Sequence, residues 1–175
     1  ENDLHLYPDG NGTKLKDEIA DHENIAFDNI IIGNGSNEIL ELAARAFLNS
    51  NTSAIASKHA FAVYKIVTQS SGASLIEVPA CNWGHDLKSF EDYLVSSTRV
   101  IFIANPNNPT GTYNNHEEVH SLLKKVPSSV LVVLDCAYFE YVTKDDYVKP
   151  LDLLNEFDNL LITKTFSKIH GLASI

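Results

Sequence analysis

Methionine is absent from the 175-residue chain, tryptophan occurs once (Trp83), and arginine occurs only as Arg45 and Arg99. Cysteine appears twice, as Cys81 and Cys136, without metal-ligand spacing. Two thiols exclude a disulfide scaffold and a cysteine-rich metal centre. Cys136 closes an aliphatic run and reads as a buried thiol, and the pair predicts a reducing, cytoplasmic setting. No apolar run approaches the ~20 residues of a spanning helix; the longest, Val100–Ala104 and Val130–Leu134, are strand-sized. Basic residues are scarce: 13 Lys and Arg stand against 23 Asp and Glu, a net charge of −10. Such a surface repels phosphate backbones and anionic lipids, which argues against nucleic-acid and membrane partners.

What is present is ordinary globular material: 44% hydrophobic and 21% charged residues, enough for a core that removes roughly 70% of the unfolded surface from water. The missing initiator methionine, the opening at Glu1 and the close at Ile175 predict an excerpt of a longer polypeptide.

Apolar periodicity alternates along the chain. Strands are predicted at Ile30–Ile32, Ala54–Ala56, Ser74–Val78, Arg99–Ala104, Val130–Leu134 and Leu160–Lys164. Helices are predicted at Glu38–Leu48, Phe61–Gln69, Leu87–Val95, Leu151–Phe157, and from a cap at Asn115, with Glu118 completing a capping box, to about Lys125. The strands are apolar throughout, as in parallel sheets covered on both faces. The predicted fold is a three-layer α/β/α sandwich with a mostly parallel sheet, in one domain. Ligands of such sheets bind at the carboxyl ends of the strands.

The residues found there carry chemistry. Gly33-Asn34-Gly35-Ser36-Asn37-Glu38 opens a helix and reads as an anion cradle; Glu38 stands where a dinucleotide fingerprint needs its third glycine. The stiff turn Asn105–Gly111 offers Asn108 as an amide donor. Asp135 ends an aliphatic strand, where a carboxylate needs a cation or donors, and Tyr138 brings a phenol nearby. Lys168 follows the last strand between small hydroxyls, and burial there favours the neutral, nucleophilic amine. Cradle, donor, carboxylate, phenol and amine together suit pyridoxal 5′-phosphate. Lys164 and Lys65 read as solvated, as do His5, His22, His85, His116 and His120. Trp83 reads as a cover over a sheet edge. His170 and His59 are each placed either at the pocket or against their own loops.

Asn105–Gly111, Asp135-Cys136-Ala137-Tyr138 and Thr165-Phe166-Ser167-Lys168 match, in order, the signatures of fold-type I pyridoxal-phosphate aminotransferases. The Gly-x-Gly-Ser-Asn-Glu segment and Leu6-Tyr7-Pro8-Asp9 resemble the histidinol-phosphate aminotransferases, and the match runs from Tyr7 to Ala173. The resemblance implies that Lys168 holds the cofactor's aldehyde and then carries the proton. Asp135 would pair with the ring nitrogen, and Asn108 and Tyr138 would donate to the ring oxygen. Gly35, Ser36 and Asn37 would cradle the phosphate with the hydroxyls of Thr165 and Ser167, and Phe61 would stack on the ring. Tyr7 would reach the neighbouring subunit's cofactor, which implies a homodimer.

The reaction so implied is transamination of histidinol phosphate with 2-oxoglutarate, giving imidazole-acetol phosphate and glutamate, a step of histidine biosynthesis. Aromatic-amino-acid aminotransferases and decarboxylases acting on threonine phosphate share the motifs, and stay open as alternatives. Set against the family, residues 1–175 correspond to part of the large cofactor-binding domain. The N-terminal arm, the end of that domain with its phosphate-binding arginine, and the small C-terminal domain with its substrate-carboxylate arginine fall outside the chain; neither Arg45 nor Arg99 replaces them. A Rossmann-like nucleotide module gives Lys168 no purpose, and a non-catalytic paralogue has no reason to keep Lys168, Asp135 and Tyr138 together.

Overall fold

Five aliphatic runs pair into one sheet. In a computed structural model of the protein, which describes residues 5–174, they are β1 (Ser53–Ser57), β2 (Ser74–Val78), β3 (Thr98–Ala104), β4 (Leu131–Asp135) and β5 (Leu160–Thr163). All pairs are parallel, in the order β2-β1-β3-β4-β5. The chain leaves β1 for the edge strand β2 and then crosses to β3, so the switch point of this open sheet lies between β1 and β3.

The described residues fall into two compact units, divided between Asn34 and Gly35. The first holds a helix that periodicity did not announce, α1 (Thr13–Glu23), which has no buried residue. Gly12 is its N-cap, and just ahead of it the Asp9 carboxylate accepts from the Thr13 and Asn11 amides at 2.8 and 3.0 Å. A short 3-10 helix, Phe27–Asn29, follows. Ile30–Ile32 then has no regular secondary structure and joins no strand, contrary to the sequence expectation. Three β-branched residues satisfy the local preference for strand, but a ladder also needs a partner.

In the second unit, α2 (Gly35–Phe47) and α3 (Ala62–Ser70) cover one face of the sheet. Leu40, Ala44, Tyr64 and Val67 pack there with Ala54, Ala56, Val100, Phe102, Ala104 and Val133. The alternate strand residues Ile55, Ile101, Ile103, Val132 and Leu134 meet α4 (His116–Lys125) on the other face. Helices on both faces make the three layers. The capping box of α4 forms as its sequence predicts, Glu118 N donating to Asn115 Oδ1 and Asn115 N to Glu118 Oε2, both at 3.0 Å.

Two predicted α-helices are instead 3-10 segments, Leu87–Tyr93 and Pro150–Asn155. Over two turns, apolar spacing barely separates three residues per turn from 3.6.

Candidate active site

The ends of β3, β4 and β5 lie level. Ala104 pairs with Asp135, and Asp135 with Thr163, in a row across the sheet. Asp135 belongs to the α2/α3 face, on which Val133 also lies. It is buried and held by three donors. Tyr64 Oη donates to Oδ2 at 2.8 Å, and Thr163 Oγ1 and Ala137 N donate to Oδ1 at 2.9 and 3.2 Å. Burial pushes the carboxyl above its ordinary range. The three hydrogen bonds and the charge of Lys168 oppose that shift.

Asp135 lies on the wall of a cavity of about 100 Å³. Ser36 and Asn37 of α2, Phe61 before α3, Ala104, Pro106 and Asn108 after β3, Ala137 and Tyr138 after β4, and Lys168 complete its lining. Seven residues singled out in the sequence thus converge on one space: Ser36, Asn37, Phe61, Asn108, Asp135, Tyr138 and Lys168. Lys168 is exposed, not buried as the sequence suggested, because it stands five residues beyond the end of β5; its ammonium lies over the Tyr138 ring, 5.6 Å from its centre.

Gly35 starts α2 at φ +71°, a left-handed conformation that favours glycine, and a Cβ there would lie 3.9 Å from Ser167 Oγ. Ser167 therefore stands beside the α2 N-terminus. Thr165 Oγ1 is 3.0 Å from Ser167 Oγ and accepts from Ser167 N at 3.1 Å. Free amides and hydroxyls gathered at a helix start form an anion site. Tyr7 belongs to the first unit and is fully exposed.

The loop carrying Asn108 is anchored by its other asparagines. Asn105 and Asn114 exchange bonds, Nδ2 to the Asn114 carbonyl at 2.9 Å and Asn114 N to Asn105 Oδ1 at 2.8 Å. Tyr147 Oη donates to the Asn105 carbonyl. Asn107 Nδ2 donates to Thr110 Oγ1 at 2.7 Å and to the His59 carbonyl at 3.2 Å. Asn108 is left to face the cavity.

Several expectations are corrected here. His85 is buried, not solvated: its Nε2 lies 2.8 Å from the Ala104 carbonyl, and burial lowers its pKa. Trp83 covers no sheet edge; it is 66% exposed and packs on the His59 ring, 5.0 Å away. His59 thus does not line the cavity; its ring meets Trp83 of the loop after β2. Lys164 does not simply project into water, since its ammonium lies 3.4 Å from Glu140 Oε1. His170 is placed against Phe166 and Glu140. Sequence reasoning missed Tyr64, whose one signal is its spacing of three from Phe61, on the same helical face. Among the described residues no cluster of metal ligands occurs and no helix is long and apolar enough to cross a membrane.

Comparison with known proteins gives concordant matches. The family model for class I and II aminotransferases matches residues 1–175. Histidinol-phosphate aminotransferase 2 of Pseudomonas fluorescens strain Pf-5 is 52% identical over 99% of the chain and 47% of the relative. Histidinol-phosphate aminotransferase 2 of Hydrogenovibrio crunogenus is 50% identical over 97% of the chain and 45% of the relative. The chain therefore spans about half the length of these relatives. Among solved structures, histidinol-phosphate aminotransferase of Sinorhizobium meliloti in complex with pyridoxal-5′-phosphate superposes with a TM-score of 0.92. It is 28% identical, covering 98% of this chain and 47% of that one.

Proposed function

Because the chain belongs to the class I and II aminotransferase family, we propose that the protein is a pyridoxal-phosphate-dependent aminotransferase that converts histidinol phosphate and 2-oxoglutarate to imidazole-acetol phosphate and glutamate, a step of histidine biosynthesis. The observation that carries this reading is the meeting of a buried carboxylate, an amine and a helix N-terminus in one cavity. The substrate rests on the names of relatives about half identical to the chain.

The donor set fits the cofactor. Ser36 and Asn37, with Thr165 and Ser167 beside the α2 start, would take the phosphate. Phe61 would lie on the ring, Asn108 and Tyr138 would donate to its oxygen, and Asp135 would accept from its nitrogen. When bound, the cofactor supplies an electron sink for the carbon that loses its proton. Asp135 can serve because its three donors oppose the effect of burial and favour the carboxylate, the form that keeps a ring nitrogen protonated. Lys168 would hold the cofactor's aldehyde, and its amine, once free, would be the base that takes up the proton of the substrate's α-carbon. Tyr138, whose ring lies 5.6 Å from the Lys168 ammonium, would help orient that amine.

Residues 1–175 would be part of the large, cofactor-binding domain, with the remainder of the site supplied by the rest of the protein. It would act as a cytoplasmic homodimer in which Tyr7 reaches the neighbouring active site. The exposed side chain of Tyr7 and the two free cysteines accord with this.

The test is made on the full-length protein. Incubation with pyridoxal phosphate and borohydride should leave a pyridoxyl group on Lys168, located by peptide mass. Histidinol phosphate with 2-oxoglutarate should turn over faster than aromatic donors. Release of carbon dioxide would reassign the protein to the decarboxylases, and absence of label on Lys168 would discard the cofactor.

A further inference from the structure

Tyr138 and Lys168 sit on separate segments, one following β4 and the other following β5. Each needs a support, since neither segment is itself part of the sheet. The two segments meet at four points. Lys168 lies over the Tyr138 ring at 5.6 Å. Two residues further along each segment, His170 Nε2 lies 3.9 Å from Glu140 Oε1. The same Oε1 is 3.4 Å from Lys164 Nζ, and that ammonium also lies over the Phe139 ring at 5.2 Å.

We propose that Glu140 is a positioning residue that ties the segment carrying Tyr138 to the segment carrying Lys168, through Lys164 on one side of the lysine and His170 on the other. The inference rests on the reading of Lys168 as the cofactor-binding amine.

The local backbone makes such a tie effective. The lysine turn is closed on itself: Gly171 N donates to the Lys168 carbonyl and Leu172 N to the Phe166 carbonyl, both at 3.0 Å. The His170 ring packs on Phe166, 5.7 Å between centres. A pull on His170 is therefore carried to Lys168 through a small closed turn rather than lost in a slack loop. Glu140 lies in the 3-10 turn Phe139–Tyr141, directly after Tyr138.

Nor is this an ordinary surface pair. The Glu140 side chain is 19% exposed, against 47% for Glu41 in its ion pair with Arg45. Its Oε2 is buried with no hydrogen-bond partner among the described residues. A carboxylate with one dry, unbonded oxygen is costly to keep for stability alone. A role in holding two site segments together explains why it is there.

In the full-length protein, Glu140→Gln keeps the size and removes the charge, while His170→Phe keeps the packing on Phe166 and removes the nitrogen. The readouts are the rate of pyridoxal phosphate capture followed by absorbance, the fraction of Lys168 trapped by borohydride, and the melting temperature without cofactor. Both variants should capture the cofactor about three- to tenfold more slowly and melt within about 3 °C of the parent. Lys164→Arg, which preserves the charge facing Glu140, should capture the cofactor at the parental rate. Parental capture by Glu140→Gln and His170→Phe would overturn the proposal, as would slowing that merely follows a loss of melting temperature. Should Glu140→Gln fail to fold, His170→Phe decides alone. Absence of label on Lys168 in the parent would overturn the cofactor reading itself, and the tie with it.

Discussion

The hydroxyl of Tyr64 donates to Asp135 Oδ2 across 2.8 Å, joining helix α3 to the end of strand β4. The same ring stacks on Phe102, 5.0 Å away and within 6° of parallel, and meets Phe61 edge-on at 5.8 Å. One buried side chain thus holds the carboxylate and backs an aromatic wall of the cavity. Tyr64→Phe keeps both ring contacts and deletes one donor to a buried acid. It should cost about 1.5–3 kcal/mol, the range for hydrogen bonds to charged groups, read as a lower urea midpoint with an unchanged slope. It should also raise the Asp135 pKa further, because one of the bonds favouring the carboxylate is lost.

Asp135 itself should trade stability for function. Its folded pKa is raised, so the native state binds a proton more readily than the unfolded chain. A raised carboxyl pKa means that ionisation costs stability, and stability falls as pH rises from the ordinary carboxyl value through the folded one. Asp135→Asn removes the charge, keeps an acceptor for Thr163 and Ala137, and lets the Tyr64 hydroxyl accept. Melting temperature without cofactor should rise or hold, while affinity for pyridoxal phosphate falls at least about tenfold. A variant that melts lower yet binds normally would contradict both statements.

Much of this site was legible because its residues stand at the ends of aliphatic strands. Asp135 after Val132–Leu134 and Lys168 after Leu160–Thr163 are conspicuous in sequence, since a charge there needs a reason. Tyr64 was not, because an aromatic inside an apolar helical pattern looks like ordinary core. His85, between Gly84 and Asp86, looks solvated. Its burial is set by a carbonyl 19 residues away, at Ala104. Glu140 was hidden in the same way, since its partners belong to a different strand end. Ile30–Ile32 shows the converse: local strand preference was present, and the pairing that makes a strand was not.

The capping box predicts a local effect. Asn115→Ala removes the acceptor for Glu118 N and one side of the reciprocal pair. The cost should be about 1 kcal/mol, seen in urea denaturation. Because α4 packs on the face of the sheet opposite Asp135, cofactor affinity should be unchanged. A loss of affinity as large as that of stability would mean that the two faces are coupled.

His85 gives a pH dependence whose sign can be worked out. A carbonyl can only accept, so Nε2 carries the proton donated to Ala104. Its Nδ1 is buried without a hydrogen-bond partner among the described residues. Burial pushes the pKa below the ordinary 6.5. In acid below 6.5 the unfolded chain takes up a proton at this position and the folded protein resists, so the unfolded state binds more protons and stability rises with pH. The contribution is fully present above 6.5 and is lost as pH falls from there through the folded value. His85→Gln keeps an amide donor for the Ala104 carbonyl and cannot titrate. Urea unfolding compared at about pH 7.5 and about pH 5.5 should show a larger loss of stability in the parent than in His85→Gln. Equal losses would mean that His85 is protonated as readily in the fold as out of it, and that its burial against Ala104 carries no penalty.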